Sequence, residues 1–340
     1  MSLQFPFPAL PAAGETLEVA PGILWARLSL PFRLNHVNIY FIEDDDGWAI
    51  VDTGISNPES RAEWQALIDG PMAGRKFTRL IVTHHHPDHI GNAGWLCEKL
   101  DIPMATSAGS FLSFLTLSNP SAKSDSDPYT QFYARHGMPS EGAKLVSTLG
   151  HGYLRMVSTP PDSYLRLHQG MDLRIGGRNF QVLTGDGHSL EQVMLYSPSD
   201  NLFLAADQVI ERISPNISVF ASEPAADPLG LYLTSLGQIC DTVPEDVLVL
   251  SGHHRPFYGL HQRRAELAGH HAERCEVIAE ACGATPQSVN DLVSVMFKGK
   301  LDAHEVSFAF SEALAHANYM AAKGDLNWIE EGHGLKLIRA

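Results

Sequence analysis

His84, His85, His86, Asp88 and His89 fall within one short run, Thr83-His84-His85-His86-Pro87-Asp88-His89-Ile90-Gly91-Asn92. Such a run makes a poor turn and a good metal-ligand loop. Imidazole and carboxylate together suit zinc, iron, manganese or cobalt, and a tight loop can aim several side chains at one point. The competing reading is a solvated histidine cluster with no ligand role. The apolar residues Leu80-Ile81-Val82 ahead of the run read as a short buried strand, and the residues after it, through Leu100, read as helical.

Other elements end in the same way. Apolar strands are expected over 23–28, 38–42 and 48–51, with an acidic, Gly-containing hairpin turn at 43–47, and the last of them runs into Asp52-Thr53-Gly54. A helix over 58–69 starts at Pro58, and 103–106 reads as a further strand. A hairpin over 171–183 turns at Gly176-Gly177 and ends near His188. Strands over 192–196, 202–206 and 247–251 follow, the second ending at Asp207 and the third at Gly252-His253-His254. One strand-end Asp or His is ordinary turn chemistry. Asp52, the His84–His89 cluster, His188, Asp207 and His253 in succession favour a single metal centre, because open α/β sheets gather their sites at strand ends. The alternation implies an α/β fold of packed layers. Residues 107–162 break it with helical stretches and a polar, Pro-containing segment, and read either as a lid over the histidine loop or as peripheral decoration.

Composition narrows the partners. The 340-residue chain is 44% hydrophobic and 19% charged, as expected of a globular protein of one large domain or a domain with an appendage. Its net charge of −15 disfavours nucleic acid as a partner, since phosphate-backbone binding needs a basic face. The four cysteines, Cys97, Cys240, Cys275 and Cys282, show no Cys-x-x-Cys spacing and read as buried free thiols. Neither a signal peptide nor a membrane-spanning apolar run is evident, so a cytoplasmic protein without a membrane partner is expected.

The motifs resemble those of the metallo-β-lactamase superfamily: a strand-Asp, His-x-His-x-Asp-His, a later Gly-x-His-Ser, a lone Asp after a strand, and a final Gly-His, all in order across 17–260. The resemblance implies a four-layer αββα sandwich with a helical insertion at about 107–162. It implies two divalent ions, zinc or else iron or manganese. One would be held by His84, His86 and His188, the other by Asp88, His89 and His253. Asp207 would bridge them and Asp52 would order the ligand loops from behind. Asp88 would also handle a proton during catalysis. Family members often carry Gly-His-Gly at the last motif, and here it is Gly252-His253-His254. His253 follows the glycine and is the expected ligand, with His254 as its rival, while His85 is expected to serve neither metal.

Within that resemblance, the intact Asp88-His89 pair favours two complete metal sites, as in the glyoxalase II-like, lactonase-like and ribonuclease Z-like branches, over β-lactam cleavage. The expected function is hydrolysis of a carbonyl ester, thioester or lactone of a small molecule by metal-bound hydroxide. The alternative is a phosphodiesterase or endoribonuclease acting on single-stranded RNA, and a third reading is a non-catalytic sensor. Arg255 and Tyr258, just past the last motif, are either substrate contacts or surface residues; Arg suits a carboxylate. Residues 261–340 read as helices over 261–282, 286–298 and 303–323 followed by a two-stranded hairpin, resembling a winged-helix-like module. Thr285-Pro286 is expected to open the second helix. Few basic residues lie on that helix, so the module is expected to pack on the catalytic domain or on a second copy in a homodimer.

Overall fold

The computed structural model describes residues 3–119, 127–149, 151–299, 301, 303–332 and 334–340. The elements in chain order are β1 (Leu17–Ala20), β2 (Ile23–Ser29), β3 (His36–Asp44), β4 (Gly47–Val51), α1 (Pro58–Asp69), β5 (Phe77–Ile81), α2 (Pro87–Ile90), α3 (Ala93–Leu100), β6 (Met104–Thr106) and α4 (Ala108–Leu117). Then come α5 (Asp127–Arg135), α6 (Ser140–Leu149), α7 (His151–Leu154), β7 (Leu165–Arg166), β8 (Asp172–Ile175), β9 (Arg178–Gly185), β10 (Gln192–Ser197), β11 (Leu202–Ala206), α8 (Pro228–Thr242) and β12 (Leu248–Ser251). The last are α9 (Leu260–Ala284), α10 (Val289–Met296), α11 (Ala303–Lys323), β13 (Leu326–Glu331) and β14 (Gly334–Arg339). They divide into two compact units. Unit 1 comprises Met1–Ala122, Tyr153–Pro215 and Leu236–Arg264, and unit 2 comprises Lys123–Gly152, Asn216–Ser235 and Ala265–Ala340.

Unit 1 is the expected sandwich. Its first sheet runs β1-β2-β3-β4-β5-β6-β7, antiparallel up to β4 and parallel beyond it. The second runs β12-β11-β10-β9-β8, with β12 parallel to β11 and the rest antiparallel. Side chains alternate between the faces of a strand, and here both faces are apolar. Ile23, Trp25, Tyr40, Ile42, Ala49, Val51 and Ile81 meet Phe180, Val182, Val193, Leu195 and Leu204 of the second sheet in the core between the sheets. Their neighbours Ala26, Leu28, Ile39, Phe41, Ile50 and Leu80 face the other way, onto Trp64 of α1, Leu96 of α3 and Phe114 of α4. A sheet buried on both faces needs such near-continuous apolar runs. α1 begins as expected: the Asn57 side chain accepts the Ser60 N–H at 2.7 Å and Pro58 occupies the first turn. Trp64 then donates its indole N–H to the Thr53 carbonyl at 2.7 Å, tying the helix to the loop after β4.

In unit 2, α5 and α6 join the C-terminal elements. The Val289 N–H donates to the His136 carbonyl at 3.1 Å, and Arg135 pairs with Glu330 at 2.6 Å. The expected insertion is therefore divided: Ala108–Leu117 belongs to unit 1, while Asp127–Leu149 folds in unit 2 with Ala265–Ala340. The hairpin β13–β14 forms in full register, and Gly324, at φ +80, ends α11 as expected. One expectation is corrected. Thr285-Pro286 does not open α10; Ser288 does, in a reciprocal capping box with Asp291. Gln287 is instead held extended by backbone bonding to Leu337, which delays the helix past the Thr-Pro signal. All four cysteines are free, but only Cys282 is buried and the other three are half-exposed. No helix among the described residues is long and apolar enough to cross a membrane.

Candidate metal centre

The five strand ends are where the sequence patterns put them. Asp52 follows β4, the histidine run follows β5, His188 follows β9, Asp207 follows β11 and His253 follows β12. The chain must turn sharply at these ends. Asp52 (φ 64), Ala206 (φ 47) and His254 (φ 62) all take left-handed conformations that a Cβ disfavours. Gly252 is required for a different reason: a Cβ there would lie 2.2 Å from Asp207 Oδ1 and 2.8 Å from the His89 ring.

Among the described residues three overlapping donor groups result: His84, His86 and His188; His84, His89 and Asp207; and Asp88, His89 and His253, each with its candidate ligand atoms within 4.8 Å of one another. His84 Nε2, His86 Nδ1 and His188 Nε2 form a triangle with sides of 3.0, 3.0 and 3.3 Å. A tetrahedral ion with metal–nitrogen bonds of roughly 2.1 Å spaces its ligand nitrogens about 3.4 Å apart, close to this triangle. The Asp207 carboxylate reaches both ends of the cluster, its Oδ2 lying 3.6 Å from His188, 3.5 Å from His89 and 3.2 Å from His253. Asp88 Oδ2 lies 3.3 Å from His253 and 3.6 Å from His89.

The far nitrogens of these rings fix which nitrogen faces inward. His89 Nδ1–H donates to Asp52 Oδ2 at 2.8 Å, and His253 Nδ1–H donates to the His36 carbonyl at 2.7 Å. Thr83 gives its hydroxyl proton to Asp52 Oδ2 and its amide proton to Asp52 Oδ1, so its hydroxyl oxygen accepts from His84 Nδ1–H at 3.0 Å. Each of these three rings is thus anchored through Nδ1 with its Nε2 directed toward the centre, the arrangement by which outer hydrogen bonds orient metal ligands. His89 Nε2 and Asp207 Oδ1 are buried and have no hydrogen-bond partner, as donors awaiting a cation would be.

The electrostatics agree. Burial, then the adjacent imidazoles, press His84 and His86 well below the ordinary histidine value. Burial opposes charge on His253 and His89 too, but Asp207 and Asp88 overcome it, holding His253 at about 10 and His89 well above its ordinary value. Asp88 and Asp207 are in turn held below the usual carboxylate range by His89 and His253, against the effect of burial. A field that binds protons this firmly binds a metal cation in their place. The donor set therefore fits the expected ions.

Residues 33–253 match the model of the metallo-beta-lactamase superfamily, and residues 275–336 that of a metallo-beta-lactamase-like C-terminal domain. The chain belongs to the metallo-β-lactamase superfamily. A beta-lactamase domain protein from Burkholderia ambifaria shares 38% identity at a TM-score of 0.90, covering 99% of this chain and 97% of that one. The superfamily member TTHA1429 from Thermus thermophilus shares 25% identity at a TM-score of 0.81, covering 95% and 100%. The probable metallo-hydrolase YqjP of Bacillus subtilis is 20% identical over 92% of this chain and 96% of its own length. The chain is a metallohydrolase of this superfamily, with histidine and aspartate groups able to bind metal ions.

Other residues singled out in the sequence lie off these donor groups in this superfamily member. The His85 ring meets Ser189 Oγ at 3.0 Å, and its carbonyl accepts the Tyr153 hydroxyl at 2.7 Å. His254 joins no donor group among the described residues. Arg255 donates to Glu211 through its backbone N–H and its guanidinium, both at 2.9 Å, and the guanidinium lies over the Phe5 ring. Tyr258 packs against the core between the sheets, and its backbone pairs with Gln4. Thr83, His36 and Asn38, which hold residues of the donor groups or their loops, carried no assignment from the sequence. Only Thr83, beside the histidine run, has a local signal.

Proposed function

We propose that the chain is a dinuclear hydrolase that cleaves a carbonyl ester, thioester or lactone of a small molecule. His84, His86 and His188 would hold one ion, Asp88, His89 and His253 the other, with Asp207 shared between them and Asp52 ordering both loops. Two such ions would supply an acidic water and polarise the scissile carbonyl. The observation that carries the reading is the pair of donor groups meeting at Asp207, with His84, His89 and His253 each anchored through Nδ1 so that Nε2 faces the centre. Asp88 is the more open carboxylate, its side chain 21% exposed against 8% for Asp207. Held ionised, it can accept a water proton and release it to a leaving group. The net charge of −15 suits a small molecule better than a polyanion.

The test is metal content together with a substrate panel. Purified without chelator and reconstituted with zinc, manganese or iron, the chain should bind two ions. It should hydrolyse a thioester, ester or lactone faster than a phosphodiester. Fewer than about one ion per chain, or full activity in His84→Ala, would sink the proposal.

A further inference from the structure

We infer that His36 and Asn38 of β3 are positioning residues for the second metal: they hold His254 in a left-handed backbone conformation and so fix the ring of His253. The inference rests on the reading of Asp88, His89 and His253 as a ligand group. It concerns how that group is built, and which non-ligand residues it depends on.

At His254 φ is +62, where the side chain crowds the backbone and a glycine would sit without strain. The His254 ring does not compensate through its Nε2, which is buried without a hydrogen-bond partner. What holds the residue comes from β3. Its N–H donates to His36 Nε2 at 2.8 Å, and its carbonyl accepts from Asn38 Nδ2 at 3.0 Å. Asn35 sets the His36 tautomer: His36 Nδ1–H donates to Asn35 Oδ1 at 2.9 Å, which leaves Nε2 as a bare acceptor. Asn38 secures the preceding turn as well, donating Nδ2–H to the Ser251 carbonyl at 2.9 Å and its backbone N–H to the Gly252 carbonyl at 2.7 Å.

His253, caught between these anchors, gives its Nδ1–H to the His36 carbonyl at 2.7 Å. One residue thus grips two consecutive histidines, His253 through its carbonyl and His254 through its ring. If His254 relaxes to an ordinary φ, the carbonyl of His253 swings and its ring leaves the Nε2 position facing Asp88 and Asp207. The first donor group, built from β5 and β9 ends, has no part in this clamp. The expected defect is therefore confined to one metal.

The experiment measures ion content and competitive-chelator affinity for zinc in four chains: wild type, His36→Leu, His36→Gln, and His36→Leu with His254→Gly. His36→Leu should retain one ion and bind the second on the order of 10–100-fold more weakly, the usual effect of losing an outer partner of a ligand. His36→Gln, whose amide oxygen can accept the His254 N–H, should stay near wild type. His254→Gly should restore the second ion to His36→Leu, because glycine needs no clamp at that φ. A His36→Leu chain that binds both ions as wild type does, or an equal loss that His254→Gly fails to restore, overturns the clamp.

A metal-independent measurement separates this inference from the reading beneath it. The hydrogen bond from the His254 amide to the His36 imidazole joins two nitrogens, so wild-type, ion-free protein labelled with ¹⁵N should show scalar coupling across it. If wild type binds fewer than two ions while the coupling is present, the dinuclear reading fails and the clamp stands. Absence of the coupling overturns the clamp whatever the metal content.

Discussion

Unit 1 and unit 2 each bury a group of histidines, and the partners of their ring nitrogens set the two apart. In unit 2, His271 and His316 are 1% and 0% exposed. His316 Nδ1–H donates to the Glu312 carbonyl at 2.8 Å, which leaves its Nε2 to accept from His271 Nδ1 at 3.1 Å. The facing nitrogens satisfy each other, and the edge of the contact is closed by the Tyr232 ring. In unit 1 the Nδ1 protons of His89, His84 and His253 point outward, to Asp52, Thr83 and the His36 carbonyl, so their Nε2 atoms face inward toward neighbouring imidazoles or a carboxylate. Burial and histidine content are shared. Ring orientation and counter-charge set a cluster able to bind metal ions apart from a packed polar core.

The sharpest way to break that contrast is to remove one histidine from each. His84→Ala should cost unit 1 its chemistry: metal polarisation is worth several kcal/mol, at about tenfold per 1.4 kcal/mol, so kcat/KM should fall on the order of 10³-fold or more. The ion-free thermal midpoint should move little. His316→Leu should do the reverse, leaving kcat/KM of the folded fraction unchanged. It strips His271 of its acceptor at a cost of about 1–3 kcal/mol, read as a lower urea midpoint. If both variants lose activity and keep stability, the distinction between the clusters is wrong.

A smaller effect tests the outer hydrogen bonds. Asp52→Asn keeps the volume but removes the charge that accepts from the Thr83 amide, the Thr83 hydroxyl and His89 Nδ1. Metal affinity should drop about 10–100-fold with the ligands themselves intact. Unchanged affinity in a chelator titration would mean that the rings find their tautomer without Asp52.

The candidate site was legible because its members lie in the loops that follow strands, a short-range pattern that survives whatever the rest of the chain does. The sandwich was legible for the same reason, since β2 to β5 carry apolar residues on both faces. What stayed hidden depends on long-range placement. Nothing local links His36 to His253, which are 217 positions apart. α8 went unassigned because Gly230 and Gly237 dilute its helical signal, although Asp227 caps its start by accepting the Gly230 N–H at 2.8 Å. The helices at 127–149 read as part of one insertion, because the Val289 bond to His136 that ties them to the C-terminal elements has no counterpart in nearby sequence.

The gentlest test of the contrast is pH, applied to unit 2. Burial, then the proximity of His316, His270 and Arg274, lowers His271 to about 3; burial, with Arg274 and His270 and against the bond to the Glu312 carbonyl, lowers His316 to about 4. Both are neutral in the fold and would charge near 6.5 when unfolded. Their contribution to stability is therefore complete above that value and is lost as pH falls toward 4 and then 3. Glu312 runs the other way: burial raises it to about 7, against the pull of Arg274. The unfolded chain ionises this group near 4.5, so its contribution is present below 4.5 and lost as pH rises toward 7. The urea midpoint should be depressed on the acid side by the histidines and toward neutrality by the glutamate. His316→Leu should flatten the first limb and Glu312→Gln the second, each without changing metal content. If either substitution altered the number of ions bound, the histidines of unit 2 would belong to the chemistry after all.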